Sequence, residues 1–250
     1  PRADPLEMMQ AIQKHRVSTL FLPPTAIYSM LAHPQVRAFD YSSLRHFIYA
    51  AAPMSSEKLK EAMEIFGPVM AQTYGQAESP MLCTFMSPKD HDVVGDPTRE
   101  RRLQSCGRPT VFTQVEIMDD AGNLLGPEQR GEIVTRGNLV MKGYYKNPKA
   151  TEEASKFGWH HTGDIGLKDA DGFVYIVDRK RDMIISGGFN LYPSEIEQVI
   201  WGHPDVQDCA VVGVPDEKWG EAVKAVVELK PGQSVSPEEI MSFCRDRLGG

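Results

Sequence analysis

The stretch HFIYAAAPMSSEKLKEAMEIFGPVMAQTY, residues 46–74, decides the fold. His46–Ala52 reads as a strand, Ser56–Phe66 as a helix and Val69–Tyr74 as a second strand. Strands separated by helices predict a parallel, doubly wound sheet. Ligands in such sheets bind at the carboxyl ends of the strands. That rule puts Ala50–Pro53 and Tyr74–Glu78 where a site belongs.

Upstream, Asp4-Pro5-Leu6-Glu7 has the form of an N-cap, a first-turn proline and a capping-box glutamate. Leu6, Met9 and Ile12 then line one helical face. Val17–Leu22 is a short apolar run stopped by Pro23-Pro24, as a buried strand would be, and Thr25 is placed to cap a second helix. Downstream, from about 104 to 178, the β-like stretches Val115–Met118, Glu132–Arg136 and Phe173–Asp178 alternate with the turn signals Asp119–Asn123 and Asp169–Gly172. This predicts a small antiparallel sheet or barrel. Beyond 182, Pro193-Ser194-Glu195-Ile196 opens a helix that Gly202 is placed to end. Gln207–Val214 and Glu221–Leu229 read as strands, and Ser236-Pro237-Glu238-Glu239 opens a last helix. The expected organisation is α/β: residues 1–103 as the later part of a doubly wound large domain, 104–180 as a small antiparallel β-rich subdomain, and 181–250 as a small α+β lid domain.

Composition narrows the function classes. With 27 Lys and Arg against 34 Asp and Glu, the net charge is −7, and no basic run suggests a nucleic-acid surface. Phosphate ligands stay open, because backbone amides can hold them. Cys83, Cys106, Cys209 and Cys244 have neither metal-knuckle nor redox spacing and read as reduced thiols of a cytoplasmic protein. No apolar run is long enough for a membrane span, and no leader pattern is present. The chain does not begin with Met and ends on Leu248-Gly249-Gly250, so both ends read as cut.

Four motifs carry chemistry, and each has a plain structural alternative. Gln72-Thr73-Tyr74-Gly75-Gln76-Ala77-Glu78 combines a strand end, a glycine for close backbone approach, a flat ring and a carboxylate that can reach Mg²⁺ on phosphates; alone it is an ordinary strand-to-loop turn. Trp159-His160-His161-Thr162-Gly163-Asp164 offers a carboxylate able to accept two ribose hydroxyls. A metal at the His160-His161 pair is disfavoured, since neighbours on an extended chain face opposite ways. Asp178–Asp182 is five charged residues in a row, either a solvated face or a hinge, and leads to Gly187-Gly188, where a ligand could pass. Gly131–Gly137 with Met141-Lys142-Gly143-Tyr144-Tyr145 reads as strand and turn. The Trp and Met residues read as packing.

In this order and spacing the motifs Ala51-Ala52-Pro53, Tyr74–Glu78, Gly131–Gly137, Thr162-Gly163-Asp164 and Asp178–Glu197 resemble the adenylate-forming (AMP-binding) superfamily, across essentially the whole chain. Gly131–Glu197 looks most like the fatty-acyl and aryl-CoA ligases. The resemblance implies an AMP-forming acid–thiol ligase of fatty acid metabolism: ATP activates a carboxylate as acyl-AMP, and CoA takes the acyl group. It implies that Ala51, Ala52, Pro53, Gln72, Thr73, Tyr74, Gly75 and Ala77 lie on the nucleotide, that Glu78 is catalytic and reaches Mg²⁺, and that Asp164 holds the ribose with Arg179 beside it. It further implies Arg181 as a hinge and Gly187 and Gly188 along the CoA arm. The physics agrees: adenylation needs charge neutralisation around phosphates, and two half-reactions need a moving lid. Ala77 stands where the family usually has Thr, so one hydroxyl near the phosphates and metal is absent, which either weakens adenylation or is compensated by Gln76. The family's phosphate loop and its C-terminal catalytic lysine are expected outside residues 1–250, which implies an isolated chain inactive in adenylation and prone to association. Two alternatives remain: a carrier-protein acceptor in place of free CoA, and a non-catalytic nucleotide-binding fragment. Which acid is used stays open; Phe85 and Ala50–Ala52 are candidates to border its pocket. Oligomeric state, a homodimer included, is open too.

Overall fold

The computed structural model describes residues 4–93 and 95–248; the terminal Gly249-Gly250 pair lies outside them. The first stretch runs α1 (Pro5–His15), β1 (Thr19–Leu22), α2 (Pro24–Leu31), β2 (His46–Tyr49), α3 (Ser56–Phe66), β3 (Met70–Tyr74), β4 (Thr84–Met86), the short α4 (Pro88–His91) and β5 (Arg108–Pro109). These strands form one sheet in the order β1-β2-β3-β4-β5. The α/β class is as expected, and β1, β2 and β3 are parallel, with Thr19 opposite His46 and Tyr49 opposite Gln72. The sheet is mixed: β4 and β5 add to it antiparallel, a feature the sequence reading did not contain.

Helix α3 shows why these residues fold this way. Leu59, Ala62 and Phe66 recur at helical spacing and are buried, while Glu57 before them and Glu64 between them are exposed. Each such large side chain contributes about 1.5–3 kcal/mol of burial. They join Met9 and Ile12 of α1, Ile27 and Met30 of α2, Phe47 of β2 and Met70 of β3 in one core. Phe66 meets Phe47 edge-on at 5.1 Å between ring centroids, the arrangement that ring quadrupoles favour.

The second sheet has the order β6-β7-β8-β9, from β6 (Thr113–Met118), β7 (Gly131–Gly137), β8 (His160–Lys168) and β9 (Val174–Arg179), with α5 (Pro148–Glu153) before β8. The third has the order β11-β10-β13-β12, from β10 (Ile184–Ser186), β11 (Phe189–Leu191), β12 (Val206–Asp216) and β13 (Gly220–Leu229). Helices α6 (Pro193–Trp201) and α7 (Pro237–Leu248) share its core through Ile200 and Ile240, with Ile184, Val206 and Val211. The chain divides into two compact units. The first takes the chain up to Thr162 together with Leu167–Ile176, and the second takes Gly163–Gly166 together with the chain from Val177 on. Among the described residues no helix is long and apolar enough to cross a membrane.

Several local readings are corrected. The strand expected over His46–Ala52 ends at Tyr49, because Ala51 takes a left-handed φ of 75° and turns the chain out of the sheet. The strand expected from Val17 starts at Thr19, because the Val17 amide still donates to the Ile12 carbonyl of α1. Thr25 does not cap α2; Pro23 holds the cap position without a side-chain bond, and Thr25 lies in the first turn. Thr162-Gly163-Asp164 lies within the nine-residue strand β8, where Gly163 takes a φ of 73°. The charged run ends β9 and leads into the β10–β11 hairpin.

Candidate functional site

Tyr49 and Gln72 are partners on neighbouring parallel strands, so the chain leaves β2 and β3 at the same edge of the sheet. Ala51, Ala52 and Pro53 follow β2 and are exposed. Gln72, Tyr74, Gly75 and Glu78 follow along β3 and its exit and are half-buried, with Ala77 exposed between them. Thr73 differs: it is buried, and its hydroxyl has no hydrogen-bond partner. Tyr74 packs against the core cluster that includes Cys83 and Cys106.

The loop after β3 closes on itself. The Gln76 amide donates to the Ser79 carbonyl at 3.0 Å, and the Ser79 amide returns a bond to Gln76 at 3.2 Å. Gly75 is a spatial necessity, because a Cβ there would lie 2.3 Å from the Met81 nitrogen and 2.7 Å from the Ser79 oxygen. Its close approach is thus to its own chain. The Gln76 side chain, beside Ala77, donates from Nε2 to the Thr162 carbonyl at 2.7 Å.

Glu78 is held by a segment the sequence reading gave no role. The Met141 amide donates to the Glu78 carbonyl at 2.7 Å, and the Tyr144 hydroxyl donates to Glu78 Oε1 at 2.8 Å. This bond raises the Tyr144 pKa, since losing its proton would set two anions face to face. The only sequence signal was the Gly143-Tyr144-Tyr145 turn, 66 residues from Glu78. His160, buried in β8, has its pKa lowered by that burial, and its Nε2 is unpaired. His161, its neighbour, sets Nδ1 3.1 Å from Glu132. Among the described residues no group of three or more His, Cys, Asp or Glu could hold a metal ion.

In the second unit Asp164 is buried, and Arg179 Nε lies 3.6 Å from its Oδ1. The Lys180 amide donates to the Gly163 carbonyl at 2.8 Å, which draws the start of the charged run beside Asp164. Asp178 is structural: its Oδ2 accepts the Ser194 amide at 3.0 Å, in the first turn of α6, where a carboxylate complements the helix dipole. Arg181 is exposed in the turn after β9, its Nε 3.4 Å from Asp182. Gly187 and Gly188 form the two-residue turn of the β10–β11 hairpin with φ of 56° and 85°, the left-handed values that such turns require. A Cβ on Gly187 would lie 2.8 Å from the Trp219 ring, so this tryptophan also has a packing reason for the glycine.

The geometry can be set against known proteins. A family model described as AMP-binding enzyme matches residues 1–145, and one described as AMP-binding enzyme C-terminal domain matches residues 195–250. A medium/long-chain fatty-acid–CoA ligase of Mycobacterium tuberculosis is 43% identical over 253 residues, covering 98% of this chain and 43% of the relative. Amide bond synthetase McbA from Marinactinospora thermotolerans superposes with a TM-score of 0.91 at 37% identity, over 99% of this chain and 49% of that one. O-Succinylbenzoate coenzyme A synthetase (MenE) from Bacillus subtilis, in complex with ATP and magnesium ion, gives 0.83 at 31% identity, over 98% of this chain and 48% of that one. The chain therefore spans about half the length of the relatives it matches. It belongs to the AMP-binding enzyme family of adenylate-forming enzymes.

Proposed function

We propose that this chain is the nucleotide-holding part of an enzyme that activates a carboxylic acid with ATP. The carboxylate oxygen attacks the α-phosphorus, pyrophosphate leaves, and the resulting acyl-AMP passes its acyl group to the thiol of CoA, releasing AMP. The observation that carries this reading is the pair of exits at the carboxyl ends of β2 and β3, with Tyr49 opposite Gln72 in register. On this reading Ala51–Pro53 and Gln72–Ala77 line the base. Thr73, buried as it is, then contributes through its backbone. Asp164 accepts the ribose hydroxyls, a bidentate task its two oxygens suit, with Arg179 fixing the carboxylate.

Glu78 offers one carboxylate, whose Oε1 accepts the Tyr144 hydroxyl, and a Mg²⁺ held mainly by phosphates asks for one or two such ligands. When bound, the ion would neutralise charge on the phosphates. Arg181 is assigned as the pivot residue and Gly187-Gly188 as a passage for the CoA arm. The likeness to an amide bond synthetase favours a second acceptor, an amine. Product analysis with the full-length protein, offered CoA and an amine separately, decides between the two.

The test of the nucleotide reading is calorimetric titration of this chain and its Asp164→Ala variant with a non-hydrolysable acyl-adenylate analogue. The chain should bind, and the variant should bind at least about tenfold more weakly, the equivalent of one charged hydrogen bond. A folded chain that does not bind, or a variant that binds equally, would overturn it.

A further inference from the structure

Beside the β2–β3 exit lies a buried polar relay that none of the assigned roles uses. Tyr49 and His91 are each 1% exposed. Tyr49 Oη lies 2.9 Å from His91 Nε2 and 3.2 Å from the Gln72 carboxamide oxygen. His91 Nδ1 lies 2.8 Å from the Ser87 carbonyl. A carbonyl only accepts, so His91 must carry its proton on Nδ1. Burial favours the neutral imidazole, so Nε2 presents a lone pair. That lone pair takes the single Tyr49 proton. The hydroxyl then has nothing left to donate to Gln72, and two oxygens with no proton between them repel. Rotating the carboxamide by half a turn removes the conflict: the Gln72 NH₂ donates to Tyr49 Oη. Oxygen and nitrogen of an amide are told apart by such networks and not by shape.

We propose that the Tyr49–His91 pair acts as a positioning device that locks the Gln72 carboxamide with its NH₂ on Tyr49. Its oxygen is left to accept a hydrogen bond, so this position selects a 6-amino purine over a 6-oxo purine. The inference rests on the nucleotide reading above, in which Gln72 lines the base. The 6-amino group donates to the locked oxygen. A 6-oxo group would set two acceptors against each other, and the lock denies Gln72 the rotation that would relieve them.

The experiment is equilibrium binding of AMP and IMP to the chain and to Tyr49→Phe. The chain should bind AMP about tenfold tighter than IMP, one hydrogen bond's worth. In Tyr49→Phe the amide is free to turn, and the ratio should fall to about twofold or less, a residue too small to be a directed hydrogen bond. Equal binding of the two nucleotides by the chain, or an unchanged ratio in the variant, overturns the inference and leaves the nucleotide reading intact. Failure of the folded chain to bind either nucleotide overturns that reading and the inference with it. If Tyr49→Phe does not fold, nitrogen-15 shifts of the His91 ring in the unaltered chain decide: a proton on Nδ1 with a bare Nε2 supports the relay, and the other tautomer or an imidazolium overturns it.

Discussion

Gly75 and Gly188 both follow a strand, in the first and second unit respectively, and they are glycines for opposite reasons. Gly75 has an ordinary backbone but no room, since the Ser79–Met81 backbone occupies the place of a side chain. Gly188 has room on every side, with nothing within 4 Å of a Cβ, but a φ of 85°. The same split runs through one aromatic from each unit: Phe47 is 0% exposed and Phe189 is 74% exposed. The loop on the first unit is therefore shaped by packing against its own chain. The hairpin of the second is shaped by local backbone preference.

The largest test of this contrast is the aromatic pair. Phe47→Ala should cost about 3–5 kcal/mol, the usual range for a buried ring, and Phe189→Ala about 0.5 kcal/mol or less. Denaturant midpoints of the two variants measure both, and similar losses would erase the distinction between the units. Next come the glycines. Gly75→Ala should destabilise by about 1–3 kcal/mol, because the clash is with backbone that cannot swing away. Gly188→Asn should be nearly silent, since Asn accepts left-handed φ and meets no neighbour. A silent Gly75→Ala in thermal melts would mean that the 75–81 loop yields more easily than its contacts imply.

The mildest effect is a slope with pH. His91 and His160, both in the first unit, have folded pKa values lowered by burial from the ordinary 6.5. The unfolded chain therefore binds protons that the folded one refuses. Their contribution is present above about pH 6.5 and is lost as pH falls from there toward the folded values. A melting temperature that stays flat between pH 7 and pH 5 would contradict it.

Much was legible in the chain itself where the rule is local. The α3 face, the Asp4 cap that accepts the Leu6 and Glu7 amides, and the Ser236–Glu239 cap of α7 all depend on neighbours three or four residues away. The order of the motifs was enough to indicate the family. The β8 strand was not legible, because His, Gly and Asp are poor strand formers and the pairing within its sheet overrides them. Nor could local pattern join Tyr144 to Glu78, Gln76 to Thr162 across 86 residues, or Tyr49 to His91 across 42.

The sequence by itself determined which segments are helix and strand around residues 46–74 and the α/β class. Those follow from spacing, capping and side-chain type, which act within a few residues. Only the tertiary structure decided that Gly75 yields to Met81, that Glu78 answers to Tyr144, and that Tyr49 meets both His91 and Gln72. The reason is physical: steric exclusion and hydrogen-bond pairing act between atoms in contact, and the chain brings such atoms together from distant positions only by folding.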